Sequence, residues 1–227
     1  MKTIDLRCND LPNPIGVELP HFSWRMTEGK HQTGYRIEVQ AEGLISTEYS
    51  QVWDTGYVES ADCVQIPYAG VPLKPRTQYR WRVCQWDENG DQGAWSEWAT
   101  FETSLMDRYQ GQWIGLPETL DNIRVADPLP APMLRKSFVL PAGIGRGRVY
   151  VSGLGYYMLY VNGKRAGDAI LTPGVSQYDK TVYYDTIDIT DLLHDGENVF
   201  GVILGNGWYT SLSCIIDKNK KYIMDPE

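Results

Sequence analysis

Apolar and polar residues alternate in short runs along most of this chain, and Gly, Pro, Asn and Asp separate the runs. Alternation with a period of two puts successive side chains on opposite faces of a strand, so the pattern predicts an all-β protein. Amphipathic helical periodicity is nearly absent. From Tyr35 to Gln40, Tyr35, Ile37 and Val39 face one way while Arg36, Glu38 and Gln40 face the other. Gln51 to Asp54 leads into a turn at Thr55-Gly56, and Val64 and Ile66 alternate before Pro67. Tyr79, Trp81 and Val83 share the inner face of a further strand. The proline-containing corner before Tyr79 predicts a tyrosine corner, in which the phenol bonds back to upstream backbone. After a turn at Asp87 to Gly90, Trp95 to Phe101 reads as the last strand of the first half.

The second half begins near Gln112 and passes through a Pro- and Asp-rich loop, Leu116 to Pro132. Loops of that length inside a compact domain are often functional or mobile. Strand patterns follow at Met133 to Leu140, Gly147 to Val151, Tyr156 to Val161, Val182 to Asp185 and Val199 to Leu204. Asn162-Gly163 sits between apolar runs, a strong hairpin signal because both turn residues must adopt positive φ. Thr190 to Leu193 reads as one capped helical turn, and Gly205 to Tyr209 as a turn. Many short, evenly spaced strands predict a sandwich or jelly roll. The expected organisation is a β-sandwich over 1–104, a connector over 105–111 and a second β-domain over 112–227.

Composition changes this picture in three ways. Eight Trp and 15 Tyr against four Phe suit sandwich cores and also suit platforms for sugar rings. The net charge of −8, without a Lys/Arg-rich run, argues against nucleic acid or an anionic membrane as partner. The cysteines Cys8, Cys63, Cys84 and Cys214 form no CxxC pair, and His21, His31 and His194 are isolated, so a zinc site is not expected. No stretch approaches the roughly 20 apolar residues of a membrane span.

Ordered motifs then suggest a family. Leu6 to Thr103 resembles a fibronectin type III domain. Trp95-Ser96-Glu97-Trp98 is similar to the tryptophan–arginine ladder motif of cytokine receptors, although a final strand with aromatic packing is the expected meaning here. In the second half, Gly153-Leu154-Gly155-Tyr156-Tyr157 precedes Leu159 to Lys164, then Gly167-Asp168, Leu171 to Gly174 and Tyr178-Asp179-Lys180. Asp188 to Leu193, Gly196-Glu197-Asn198 and Leu204 to Tyr209 complete the series. This succession resembles the N-terminal jelly-roll domain of bacterial α-L-rhamnosidases. Asn13 to Gly16, Phe22-Ser23-Trp24 and Trp53 to Gly56 are similar to the fibronectin-like domain that precedes it.

The resemblance implies a parent enzyme that removes terminal L-rhamnose from glycosides with inversion, using an acid and a base-activated water. It places the catalytic α/α barrel downstream of this region, so no catalytic residue carries over and the piece alone is expected to be inactive. It also implies a jelly roll that stops short of its last strands at Glu227, with open sheet edges that invite self-association. The expected role is an accessory portion that supports the catalytic domain and binds a rhamnose-containing glycan. The alternatives are an autonomous carbohydrate-binding module or a non-catalytic scaffold. Met1 to Asp5 lacks the apolar core of a signal peptide. The expected location is therefore the bacterial cytoplasm, or the periplasm or exterior if a signal precedes residue 1.

Sugar recognition needs aromatic surface together with Asp, Asn or Gln groups that bond hydroxyls. Asn162, Asp168, Gln177, Tyr178, Asp179, Asn206 and Trp208 lie in loops beside expected strands and form the candidate set. Plainer readings compete: Asn162 is what its turn demands, Asp191 is a solvated or capping residue, and Trp208 packs over the core. No cofactor is required. Calcium, which prefers six to eight oxygens, could draw on Asp185, Asp188 and Asp191, but a strand followed by a turn would point them apart, and a solvated face is expected. Gly174 to Tyr178 lacks the second glycine of a nucleophile elbow. Gly143 to Gly147 lacks the spacing of a dinucleotide or phosphate loop.

Overall fold

The computed structural model describes residues 2–43, 48–106, 109–115, 131–143, 145–205, 207 and 209. The chain divides into two compact units, Met1–Gly111 and Gln112–Glu227. Both are built from antiparallel strands.

The first unit contains β1 (Lys2–Cys8), β2 (His21–Thr27), β3 (Gly34–Glu42), β4 (Tyr49–Asp54), β5 (Val58–Glu59), β6 (Ile66–Pro67), β7 (Gln78–Trp86) and β8 (Ala99–Glu102). One sheet has the order β1-β2-β6; the other runs β4-β3-β7-β8, with β5 also on β3. The alternation in the sequence decides which residues meet between them. Phe22 and Trp24 of β2 are buried with Ile37 and Val39 of β3 and Trp81 and Val83 of β7. Phe22 packs on Trp81 at 4.4 Å between ring centroids, and Tyr79 stacks on Phe101 at 5.1 Å. The tyrosine corner is present: the Lys74 N–H donates to the Tyr79 phenol at 2.8 Å. Burial raises the Tyr79 phenol above its ordinary pKa.

A buried glutamine pair links the polar groups inside this sandwich, while the buried Trp81 indole N–H has no hydrogen-bond partner among the described residues. The Gln32 side-chain oxygen accepts from Trp24 Nε1 at 3.0 Å and from Gln85 Nε2 at 2.5 Å. Its amide nitrogen donates to the carbonyls of Ser60 and Asp62. Thr3 donates to the Gln85 oxygen at 2.8 Å and so ties β1 to β7.

The motif Trp95 to Trp98 corrects an expectation. The last strand begins only at Ala99. Ahead of it, the two tryptophans interleave with arginines on the outer face of β3 and β7. Arg80 lies 3.8 Å from the Tyr49 ring centroid and 4.3 Å from that of Trp98. Arg82 lies 4.5 Å from Trp98 and 4.4 Å from Trp95, and Arg36 is 5.7 Å from Trp95. The stack therefore runs Tyr49, Arg80, Trp98, Arg82, Trp95, Arg36. It forms because Arg80 and Arg82 alternate with the inward Tyr79, Trp81 and Val83, so the pleat puts both cations on the outer face. Ser96 fixes the segment alongside β7, its N–H donating to the Val83 carbonyl and its hydroxyl accepting from the Val83 N–H.

The second unit contains β9 (Met133–Leu140), β10 (Arg148–Val151), β11 (Tyr156–Val161), β12 (Lys164–Arg165), β13 (Asp185–Asp188) and β14 (Gly196–Gly205). One sheet has the order β12-β11-β14-β9, and β10 pairs with β13. Tyr157, Leu159, Val161, Ala166 and Ile189 form its buried core. Asn162 (φ +50°) and Gly163 (φ +80°) make the positive-φ turn from β11 to β12. The strand expected at Val182 to Asp185 lies three residues later. β10 spans only Arg148 to Val151, and its ladder runs from Arg148↔Asp188 to Val151↔Asp185. Tyr183 is instead held by Ser152, whose hydroxyl donates to its carbonyl at 2.7 Å. The expected helical turn is a 3-10 turn at Thr190–Leu192, whose first N–H donates to Asp188 Oδ1 at 2.9 Å.

Candidate functional site

Of the seven sequence-predicted sugar contacts, Asn206 and Trp208 lie outside the described residues. The other five do not converge. Asn162 is taken up by the fold: its amide nitrogen donates to the Leu192 carbonyl and to Asn198 Oδ1, both at 2.8 Å, and its oxygen accepts from the Val199 N–H. Gln177 opens a turn in which its carbonyl accepts from the N–H groups of Lys180 and Thr181. Tyr178 meets the Tyr209 ring edge-on at 5.4 Å. Asp179 is exposed in the same turn. Asp168 lines a cavity between β11 and β13, which the other four do not line.

That cavity has a volume of about 370 Å³ and is walled by residues 157–159 of β11, 165–169, Thr172 and the whole of β13. Small-molecule sites commonly have volumes of roughly 300–1,000 Å³. Its polar floor is built by three elements. Asp185, at the start of β13, accepts from the Tyr157 hydroxyl at 2.6 Å and from the Thr172 hydroxyl at 2.5 Å, both on Oδ2. The Tyr157 N–H donates to the Thr172 carbonyl at 3.1 Å, so two bonds pin the 170–173 segment to β11 and β13. That segment carries Leu171 in a left-handed conformation (φ +57°), which a branched side chain rarely adopts. Arg165 reaches back to the Ala169 carbonyl at 2.5 Å and closes the loop between them.

At the other end of β13, Asp188 pairs with Arg148 at 2.7 Å. Partial burial pushes the Asp188 carboxyl up. The Thr190 hydrogen bonds, with the charges of Arg148 and Arg146, outweigh that and leave it below the ordinary carboxylate range. Asp185, Asp188 and Asp191 thus do not share one solvated face. Asp185 is half-buried and bonded, Asp188 is ion-paired, and Asp191 is exposed in the 3-10 turn. No group of three or more His, Cys, Asp or Glu converges as metal ligands among the described residues. Sequence reasoning missed Tyr157, Arg165, Thr172 and Asp185 because their meeting depends on pairing across 28 residues, which no local pattern announces.

Comparison with known proteins now bears on these two units. Residues 3–107 match the family described as the Rha78A-like N-terminal immunoglobulin domain, and residues 142–227 match the α-L-rhamnosidase N-terminal domain. The chain is an N-terminal region of the α-L-rhamnosidases. An α-L-rhamnosidase of Formosa agariphila is 34% identical over 225 residues, which is 88% of this chain and 24% of that protein. One from Alteromonas sp. is 32% identical, with 87% and 23% covered. Among solved structures, the α-L-rhamnosidase of Dictyoglumus thermophilum matches with a TM-score of 0.80 at 40% identity, over 92% of this chain and 25% of that one. The native Aspergillus terreus enzyme matches at 0.72 with 26% identity, over 92% and 24%. This N-terminal region therefore spans about a quarter of the rhamnosidases it matches. The family description calls the first unit an immunoglobulin domain, which has the same two-sheet sandwich architecture as the fibronectin-like domain read from the sequence.

Proposed function

We propose that the chain is the accessory N-terminal portion of an α-L-rhamnosidase. In this reading it supports the portion that hydrolyses terminal α-L-rhamnose, and its second unit contacts carbohydrate. The observation that carries the reading is the match across nearly the whole chain to proteins about four times as long, all named for that one activity. The carbohydrate contact is supported by the β11–β13 cavity, whose size and mixture of carboxylates, hydroxyls and apolar side chains suit a monosaccharide.

Hydrolysis by this chain itself is not expected. Glycoside cleavage needs one carboxylic acid held protonated near neutral pH, beside a second, ionised carboxylate. Asp188, in the cavity, is held ionised by Thr190 and Arg148 and so is not the acid of such a pair.

A chromogenic α-L-rhamnoside assay on the purified chain, run beside its binding to an immobilised rhamnose-terminated glycoside, tests the reading. Saturable binding without turnover is the expected result, unchanged by calcium. Turnover would overturn the accessory role, and an absence of binding would overturn the carbohydrate contact.

A further inference from the structure

The pair Asn-Gly occurs at Asn89, Asn162 and Asn206, of which Asn206 lies outside the described residues. A glycine after an asparagine leaves its backbone nitrogen open to attack on the asparagine side chain, because no Cβ stands in the way. The fold treats the two described pairs in opposite ways. Asn162 spends both ends of its side chain: the nitrogen donates to the Leu192 carbonyl and to Asn198 Oδ1, and the oxygen accepts from the Val199 N–H. Asn89 lies exposed in the turn that follows β7. Among the described residues, the Asp87 carboxylate is the sole bond partner of its side chain. We propose that Asn89 is a site of spontaneous deamidation in the folded chain, and that its hydrogen bonds protect Asn162 from the same reaction.

The reaction needs only water. The Gly90 backbone nitrogen gives up its proton to solvent and attacks Asn89 Cγ. The Cγ–Nδ2 bond breaks, and the nitrogen leaves as ammonia with a proton taken from water. Water then opens the resulting cyclic imide at one of its two carbonyls, giving aspartate or isoaspartate. Nothing is oxidised or reduced.

At Asn89 the attack asks for little. The Gly90 N–H must leave the Asp87 carbonyl, to which it donates at 3.0 Å, and an exposed turn opens locally at low cost. At Asn162 the side chain would have to abandon three bonds that tie the β11–β12 turn to β14 and the 3-10 turn. That would also cost the fully buried Asn198 a donor. The product at position 89 adds a carboxylate beside Asp87, Glu88 and Asp91. Its isoaspartate form lengthens the backbone of a turn closed by the Asp87 N–H on the Asp91 carbonyl at 3.1 Å.

Peptide mapping by mass spectrometry, after incubating the full chain in mildly alkaline buffer with and without urea, tests the assignment. In the folded chain Asn89 should convert about tenfold or more faster than Asn162. In urea the two pairs should convert at similar rates. Asn89→Gln, whose longer side chain closes the ring poorly, should remove the acidic form seen on anion exchange and keep the thermal midpoint of the parent chain. Folded-state conversion at Asn89 no faster than at Asn162 would overturn the proposal. So would an Asn89 that converts in urea but not in the folded chain. A rate ratio that persists in urea would overturn protection by the fold.

Discussion

At the scale of single residues, a few polar side chains carry consequences well beyond their size. Tyr79 is only 2% exposed and its phenol is the acceptor for the Lys74 N–H. Tyr79→Phe keeps the ring stacking on Phe101 but leaves that N–H without its acceptor. The expected cost is about 1–2 kcal/mol in urea unfolding. Asn198 is fully buried and bonds His194 and Gly196 through its nitrogen while its oxygen accepts from His194 N and Asn162. Asn198→Ala would orphan several of these groups at once, with an expected loss of about 2–3 kcal/mol in the second unit. Asp54 works through charge. Arg36 grips it with Nε at 2.9 Å and Nη2 at 2.6 Å, and this bond, helped by the Gly56 N–H, lowers its carboxyl from 3.8 to about 2. A depressed carboxyl contributes stability that is fully present above the ordinary value and is lost as pH falls through the folded-state value. The first unit should therefore lose stability between about pH 4 and pH 2, and Asp54→Asn should flatten that part of a pH series of unfolding midpoints.

At the scale of elements, the tryptophan–arginine stack is the feature most open to a direct test. Arg82 lies between two indole rings and also bonds Glu38 through Nε at 2.9 Å and Nη2 at 2.7 Å. The Glu38 side chain is only 10% exposed, so losing Arg82 leaves a mostly buried carboxylate on the longer Arg36 contact at 3.5 Å. Arg82→Ala should cost about 3 kcal/mol. Arg82→Lys keeps the charge but loses the planar fork, and about 1 kcal/mol of loss is expected from denaturant unfolding. The same stack shows where sequence reading reaches its limit. The inward positions of β3 and β7 were legible, because burial imposes a period of two on Tyr35, Ile37 and Val39 and on Tyr79, Trp81 and Val83. The outward residues obey no such period. Their meaning depends on Trp95 and Trp98 lying beside β7, a contact between segments that alternation does not encode. The position of β13 was misread for a related reason. Tyr183 and Tyr184 look like strand residues, but the ladder goes where β10 offers partners, at Asp185 to Asp188.

At the scale of the whole molecule, the order of motifs made the family and the two-sandwich architecture readable from the sequence. Their match to the two N-terminal domain families bears this out. The site was much less readable. All seven proposed sugar contacts were placed by loop position alone, and of the five among the described residues only Asp168 lines the cavity in which Tyr157, Thr172 and Asp185 meet. Loop residues near one rim in sequence order need not share a wall once the strands are paired. Asn162 illustrates the difference, since the turn it was expected to make uses its side chain completely.

The central claim, that this N-terminal region of a rhamnosidase holds carbohydrate between β11 and β13, is tested most directly by titrating L-rhamnose into the isotope-labelled chain and following its backbone amide NMR signals. The account predicts saturable shifts concentrated in residues 157–159, 165–172 and 185–188. Shifts confined to the turn at 177–181, or no shifts at concentrations of tens of millimolar, roughly the weak limit of useful affinity, would contradict it.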